Sequence, residues 1–147
     1  MEPFVHNPQY AIVICRVCQF AVVADEVLSH LRIHHREIPV ASRSHIAEAI
    51  RSIPRIVRTQ AELAILQYPD PSTPPVLHIA APKADGIRCA ECPYMCRRPQ
   101  VIQRHCRAEH GWHNDWQKGG NVRKRATVAR DLPWTTGVPC QRFFLTH

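Results

Sequence analysis

Cys89 and Cys92 have two residues between them, and after twelve further residues come His105 and, with four residues between, His110. Thiolate and imidazole are the donors that a borderline-soft divalent ion takes, and four of them on one short segment can close a tetrahedron around it. A second set stands earlier, with Cys15 and Cys18 followed after eleven residues by His30 and then by the adjacent pair His34 and His35. The spacing in both sets is that of a Cys2His2 zinc site. Candidate ligands for two Zn2+ ions are therefore Cys15, Cys18, His30 and His35 in the first set and Cys89, Cys92, His105 and His110 in the second. His34 competes with His35, because its spacing from His30 is closer to one helical turn. The gap of four residues in the second set favours His35.

Such ligands need particular elements to carry them. A tight turn between two short strands lets both cysteines approach one ion from the same side, and a helix must then present both histidines to the thiolates. In the second set Pro99 suits a first helical position, Gln100 to Glu109 lack Gly and Pro, and Gly111 stands where a helix end favours a left-handed residue. Ile102 takes the usual place of the core leucine, whereas Cys96 stands where such fingers carry an aromatic. In the first set Tyr10–Ile14 and Phe20–Val23 read as strands and Glu26–His35 as the helix.

The chain has 147 residues, seven cysteines and a formal net charge of +7. A segment of finger length cannot bury a self-sufficient apolar core, so the ion is expected to supply much of the folding energy, roughly 10–16 kcal/mol for structural zinc. Both fingers are then expected to unfold without metal. An odd cysteine count, two pairs matched to histidines and no signal peptide argue for free thiols in a reducing compartment. Cys96, Cys106 and Cys140 read as small buried apolar side chains. No apolar run reaches membrane length, so the expectation is a soluble, intracellular chain with no membrane partner, placed in the nucleus by its basic balance. A catalytic zinc keeps one position open for water, whereas both sets here are complete. With no nucleophile signature beside the remaining histidines, the expectation is neither an enzyme nor a small-molecule binder.

The expected fold class is small, metal-stabilised α+β, with two ββα fingers joined by a helical spacer. An irregular lead-in (1–9) precedes finger one (10–36), a helical spacer and Pro-rich linker (37–85), finger two (86–111) and a basic, aromatic tail (112–147). In the spacer, Ser44 is placed to cap a helix carrying Ile46, Ala49, Ile50 and Ile53, with Pro54 ending it. Thr59 to Glu62 matches a capping box ahead of Leu63, Ala64, Ile65 and Leu66. Tyr68–Pro75 reads as linker and Val76–Ile79 as a short strand. The tail holds Trp116, Gly119, Gly120 and a basic segment with Arg123, Lys124, Arg125 and Arg130, then closes on Trp134, Val138, Cys140, Phe143 and Phe144. Those apolar side chains predict a strand that docks on a finger or pairs with sequence beyond this segment.

Ile14-Cys15 with Cys18, His30-Leu31 to His35, Gly86-Ile87-Arg88-Cys89, His105 to Gly111 and the closing Val138-Pro139-Cys140-Gln141-Arg142-Phe143-Phe144 together resemble the fungal OrsD family, named for a protein of the orsellinic acid biosynthesis cluster. The resemblance covers nearly the whole chain. It implies two divergent zinc fingers flanking a helical spacer, an arrangement also found in larger proteins that resemble helicases or mobile-element products. It implies no particular biochemical activity. Many relatives have an incomplete first finger, whereas this chain keeps a full ligand set.

Fingers that read DNA place helix positions −1, 3 and 6 against successive bases. In finger two these are Arg98, Val101 and Arg104, and two arginines can each hold a guanine through O6 and N7. In finger one the same positions are Val23, Glu26 and Ser29, beside Asp25, a face that repels phosphate. Tandem readers are joined by about five residues, whereas more than fifty separate His35 from Cys89, so the two fingers are not one continuous reading head. Arg98, Arg104 and Arg107, with Arg97, are the candidate nucleic-acid contacts, nonspecific or weakly specific for DNA. The alternative is a protein-binding module with purely structural metal sites.

Overall fold

The computed structural model describes residues 2–63, 65–70, 72–114 and 131–144. Trp116, Gly119, Gly120 and the basic segment Arg123, Lys124, Arg125 and Arg130 lie outside the described residues, as does Ala64. The chain forms two units, one from residues 1–82 with 141–147 and one from residues 83–140. Together they make a small α+β protein with two antiparallel three-stranded sheets.

The first unit is built on a sheet of β1 (Phe4–Asn7), β2 (Ile12–Cys15) and β3 (Phe20–Val22), with β2 in the centre. The lead-in read as irregular supplies β1, whose Phe4 pairs with Cys15 and Asn7 with Ile12. Pro3 and Pro8 bracket this strand instead of disrupting it, since proline is tolerated just outside a strand at a sheet edge. β2 reads Ile-Val-Ile-Cys, and every side chain is buried. Alternation along the strand sends Val13 and Cys15 into one core cluster and Ile12 and Ile14 into another on the opposite face.

The first cluster also takes Phe4, Val22, Val27, Leu31, Ala47 and Ile50, drawn from β1, β3, α1 (Val27–His34) and α2 (Val40–Arg51), with Ile56 from the segment after α2. α2 begins after Pro39, five residues earlier than Ser44 would place it. The reason lies in the preceding loop: the Arg43 guanidinium donates to the carbonyls of Ile38 and Arg36, each at 2.7 Å, and pins the chain where the helix starts. Ser44 lies inside the helix and donates to the Val40 carbonyl. The second short helix, α3 (Gln60–Leu63), has the capping pattern its sequence announces. Thr59 Oγ1 accepts from the Glu62 amide, while the Glu62 carboxylate accepts from the Arg58 amide at 2.7 Å.

The second cluster adds Val57, Val76, Ile79 and Phe143 to the outer face of β2 and β3. Val76–Ile79 is a turn, not the expected strand. Its backbone groups are taken by one side chain: Gln141 accepts from the Val76 amide and donates to the carbonyls of Val76, Ile79 and Ala80 at 3.0–3.3 Å. Further along the same segment, the Phe143 carbonyl accepts from the Ala21 amide of β3.

The second unit has the strand order β5-β4-β6, with β4 (Lys83–Cys89) between β5 (Met95–Cys96) and β6 (Trp134–Cys140). α4 (Pro99–His110) completes it. Pro99 opens the helix and Gly111 closes it at φ 63°, the left-handed cap its position predicts. The tail strand β6 does dock on a finger, pairing antiparallel with β4 from Cys89↔Trp134 to Lys83↔Cys140. Buried Ile87, Cys89, Ile102 and Cys106 form the core here, with Cys92, Cys96, Trp112 and Trp134 packed against it. Trp134 and Trp112 meet edge to face at 4.9 Å, so two aromatics from outside the finger segment fill the space left by Cys96.

β4 and β6 come closest at Gly86, between two register irregularities. A Cβ there would stand 2.5 Å from the Val138 carbonyl oxygen and 3.0 Å from Cys140 Sγ. Gly86→Ala is therefore expected to push β6 away and to destabilise this unit by about 1–3 kcal/mol, read as a lowered thermal midpoint of the metal-loaded protein.

Candidate metal centres

The first cage is assembled from three places in the chain. Cys15 ends β2, and a tight turn with Gln19 at φ 59° returns the chain to β3 so that Cys18 comes beside it. The Gln19 amide donates to the Cys15 carbonyl at 2.7 Å, and the Cys18 amide points at Cys15 Sγ. α1 presents His30, and its last turn delivers the second ring. The donor atoms of Cys15, Cys18, His30 and His35 all lie within 4.8 Å of one another. His35 Nε2 is 3.2 Å from Cys15 Sγ and 3.6 Å from Cys18 Sγ.

The chain brings in His35, not His34, by leaving the helix. His35 caps α1 at φ −133°, ψ 57°, and from that position its ring joins the cage. His35 is only 2% exposed, while His34 stays on the surface with its ring 4.8 Å from that of His30.

The second cage has Cys89 at the end of β4, Cys92 in the following turn, and His105 and His110 on α4. Here too the four donor atoms lie within 4.8 Å, and Cys92 Sγ is 3.1 Å from His105 Nε2. Tyr94 lies flat on His105 at 3.9 Å, whereas in the first cage Phe4 and Phe20 meet His30 edge-on.

The chemistry of the donor set fits a metal ion. His30 Nε2 and His110 Nε2 are buried with no hydrogen-bond partner, a costly arrangement for a lone pair unless a Lewis acid takes it. Burial, then the neighbouring His34 and His35, hold the His30 pKa down to about 4, so its ring is neutral and able to coordinate. Burial and the adjacent Cys15 push the Cys18 thiol up to about 11, so a cation must displace its proton. Each cage also has a carboxylate behind its last ligand. His35 Nδ1 pairs with Glu37 at 3.3 Å and His110 Nδ1 with Glu91 at 3.4 Å, which fixes the tautomer that leaves Nε2 facing inward. Sequence spacing did not single out these two glutamates, although each lies within two residues of a ligand in the chain, Glu37 of His35 and Glu91 of Cys89 and Cys92.

All seven cysteines are free. Cys106 is fully buried, and burial, then the charge of neighbouring Cys89, push its thiol up to about 11, as suits a packing residue. Cys140 sits under Arg97, whose guanidinium donates to its Sγ and its carbonyl and pairs with Asp85 at 3.1 Å. Arg97 is thus half-buried and already paired, unlike the other arginines named as candidate phosphate contacts. Arg98, Arg104 and Arg107 are exposed.

Replacing His35 with Ala is expected to reduce metal content to one ion per chain, and His34→Ala to leave it at two, by elemental analysis. Because finger one sits in two apolar clusters and finger two in one of four buried residues, chelation is expected to unfold residues 83–140 first. Hydrogen exchange during chelator titration would follow both units separately.

No curated protein and no solved structure matches the chain. Residues 2–111 match the family described as "Orsellinic acid/F9775 biosynthesis cluster protein D", a span that holds both cages and stops before β6. With three quarters of its length in that match and a full set of ligands in each finger, the chain belongs to the OrsD family.

Proposed function

We propose that this chain is a zinc-dependent binding module, not a catalyst, which contacts nucleic acid in the nucleus through finger two. Zinc is the ion the cages suit best. Bond lengths of about 2.3 Å to sulfur and 2.0–2.1 Å to nitrogen give a tetrahedral S···N edge of about 3.5 Å. The sulfur–nitrogen separations of 3.1–3.6 Å lie close to that edge. Each cage offers four protein donors, so a bound ion has no open position for water, and the metal's role is structural.

The observation that carries the nucleic-acid reading is the exposed side of α4. Gln100, Arg104 and Arg107 recur at helical spacing on one exposed stripe, with Arg98 exposed at the cap, while Ile102 and Cys106 face the core. Two acidic side chains of this unit are engaged elsewhere: Asp85 pairs with Arg97, and Glu91 with His110. A basic stripe of this kind supports phosphate contact without base specificity.

A different feature favours protein contact at finger one. A cleft of about 350 Å3 lies between β3 and α1, lined by Phe20, Val23, Glu26, Ser29, Ile33 and His34 among others. It takes up Val23, Glu26 and Ser29, the positions that would face bases in a reading finger, and its apolar walls suit a peptide side chain better than a phosphate.

With three phosphate contacts, log affinity for duplex DNA is expected to fall against log salt with a slope of about −3, reduced by about 1 in Arg104→Ala. Absence of binding to duplex and single strands alike at low salt would overturn the nucleic-acid reading in favour of the protein-binding one.

A further inference from the structure

The aromatic residues beside the arginines of finger two bear on the kind of nucleic acid it takes. Tyr94 lies in the turn between Cys92 and Cys96, with one ring face stacked on His105 at 3.9 Å and 12°. The residue is still 39% exposed, a large fraction for a ring already covered on one side. His105 is itself a cage ligand, so the platform under Tyr94 is rigid. Arg104, next to His105 on α4, is exposed. One turn further along α4, the Arg107 guanidinium stands over Trp112 at 5.7 Å from the ring centre, while Trp112 is braced by Trp134.

A duplex hides its base faces against one another and offers only edges and phosphates, so a flat, pre-set aromatic face has nothing to stack on there. An unpaired strand offers both a face and a phosphate at each nucleotide. We propose that finger two binds single-stranded nucleic acid, with a base stacked on the open face of Tyr94 and neighbouring phosphates held by Arg104 and Arg107. The inference rests on the nucleic-acid reading above and adds strandedness to it. It also removes a difficulty: a lone finger covers too little of a duplex groove to read it, whereas a few unpaired nucleotides match its area.

The test uses the metal-loaded full chain and fluorescence anisotropy with labelled single-stranded DNA, single-stranded RNA and duplex DNA of equal length at low salt. Wild type is expected to bind the single strands about tenfold more tightly than the duplex. Tyr94→Phe, which keeps the ring, is expected to bind as wild type. Tyr94→Leu, which keeps an apolar cover on His105, is expected to lose about tenfold on the single strands while duplex affinity and zinc content stay unchanged. The DNA and RNA arms distinguish which strand is preferred. A duplex bound as tightly as the single strands, or single-strand affinity unchanged in Tyr94→Leu, overturns the strandedness proposal and leaves the phosphate-contact reading standing. No binding of any of the three overturns both.

Discussion

Two cysteine sulfurs held side by side on one tight turn cannot both ionise in a buried site unless a cation lies between them and their neighbours. Everything local to the two cages follows from that constraint. Apart from metal, burial and its partner thiol keep Cys18 protonated, and the buried nitrogens of His30 and His110 stand without hydrogen-bond partners. One divalent ion relieves all of these costs at once, which is why its binding and the folding of the surrounding turn and helix are one process. The carboxylates of Glu37 and Glu91 complete the arrangement by fixing which ring nitrogen faces inward.

The two fingers share this constraint and differ in everything packed around it. Finger one is set in a unit whose central strand is covered on both faces, by α1 and α2 on one side and by the turns around Val57, Val76 and Ile79 on the other. Its cage sits at the margin of an apolar core that other parts of the chain have built. Finger two keeps a core of four buried residues, two of them cysteines, and widens it with a third strand and two tryptophans. The expectation that metal stands in for a missing core therefore suits finger two, and is too strong for finger one.

Arginine placement follows the same division between inside and outside. Arg97 is drawn into the sheet by Asp85 and Cys140, where its charge holds β6 against the finger. Arg98, Arg104 and Arg107 stay on the surface, because α4 turns Ile102 and Cys106 toward the thiols and leaves the opposite side to solvent. One helix thus closes the cage with its inner face and presents charge with its outer one.

The sequence alone determined the ligand sets, the strand–turn–helix order of both fingers, the boundaries of α4 and the capping of α3, because each of these is a local matter. Spacing sets which donors can meet, and Pro99 and Gly111 fix helix ends through their own backbone preferences. The choice of His35 over His34 became legible only in the structure, where His35 caps α1 and is buried in the cage while His34 stays exposed. The strand Phe4–Asn7, the early start of α2, the turn at Val76–Ile79 and the pairing of Arg97 with Asp85 and Cys140 were decided by tertiary structure. In each case the deciding partner lies across a sheet, across a loop or far along the chain: Cys15 for Phe4, the carbonyls of Arg36 and Ile38 for Arg43, Gln141 for Val76, and Cys140 for Arg97. Local preference cannot register a hydrogen bond whose other half arrives from so far away.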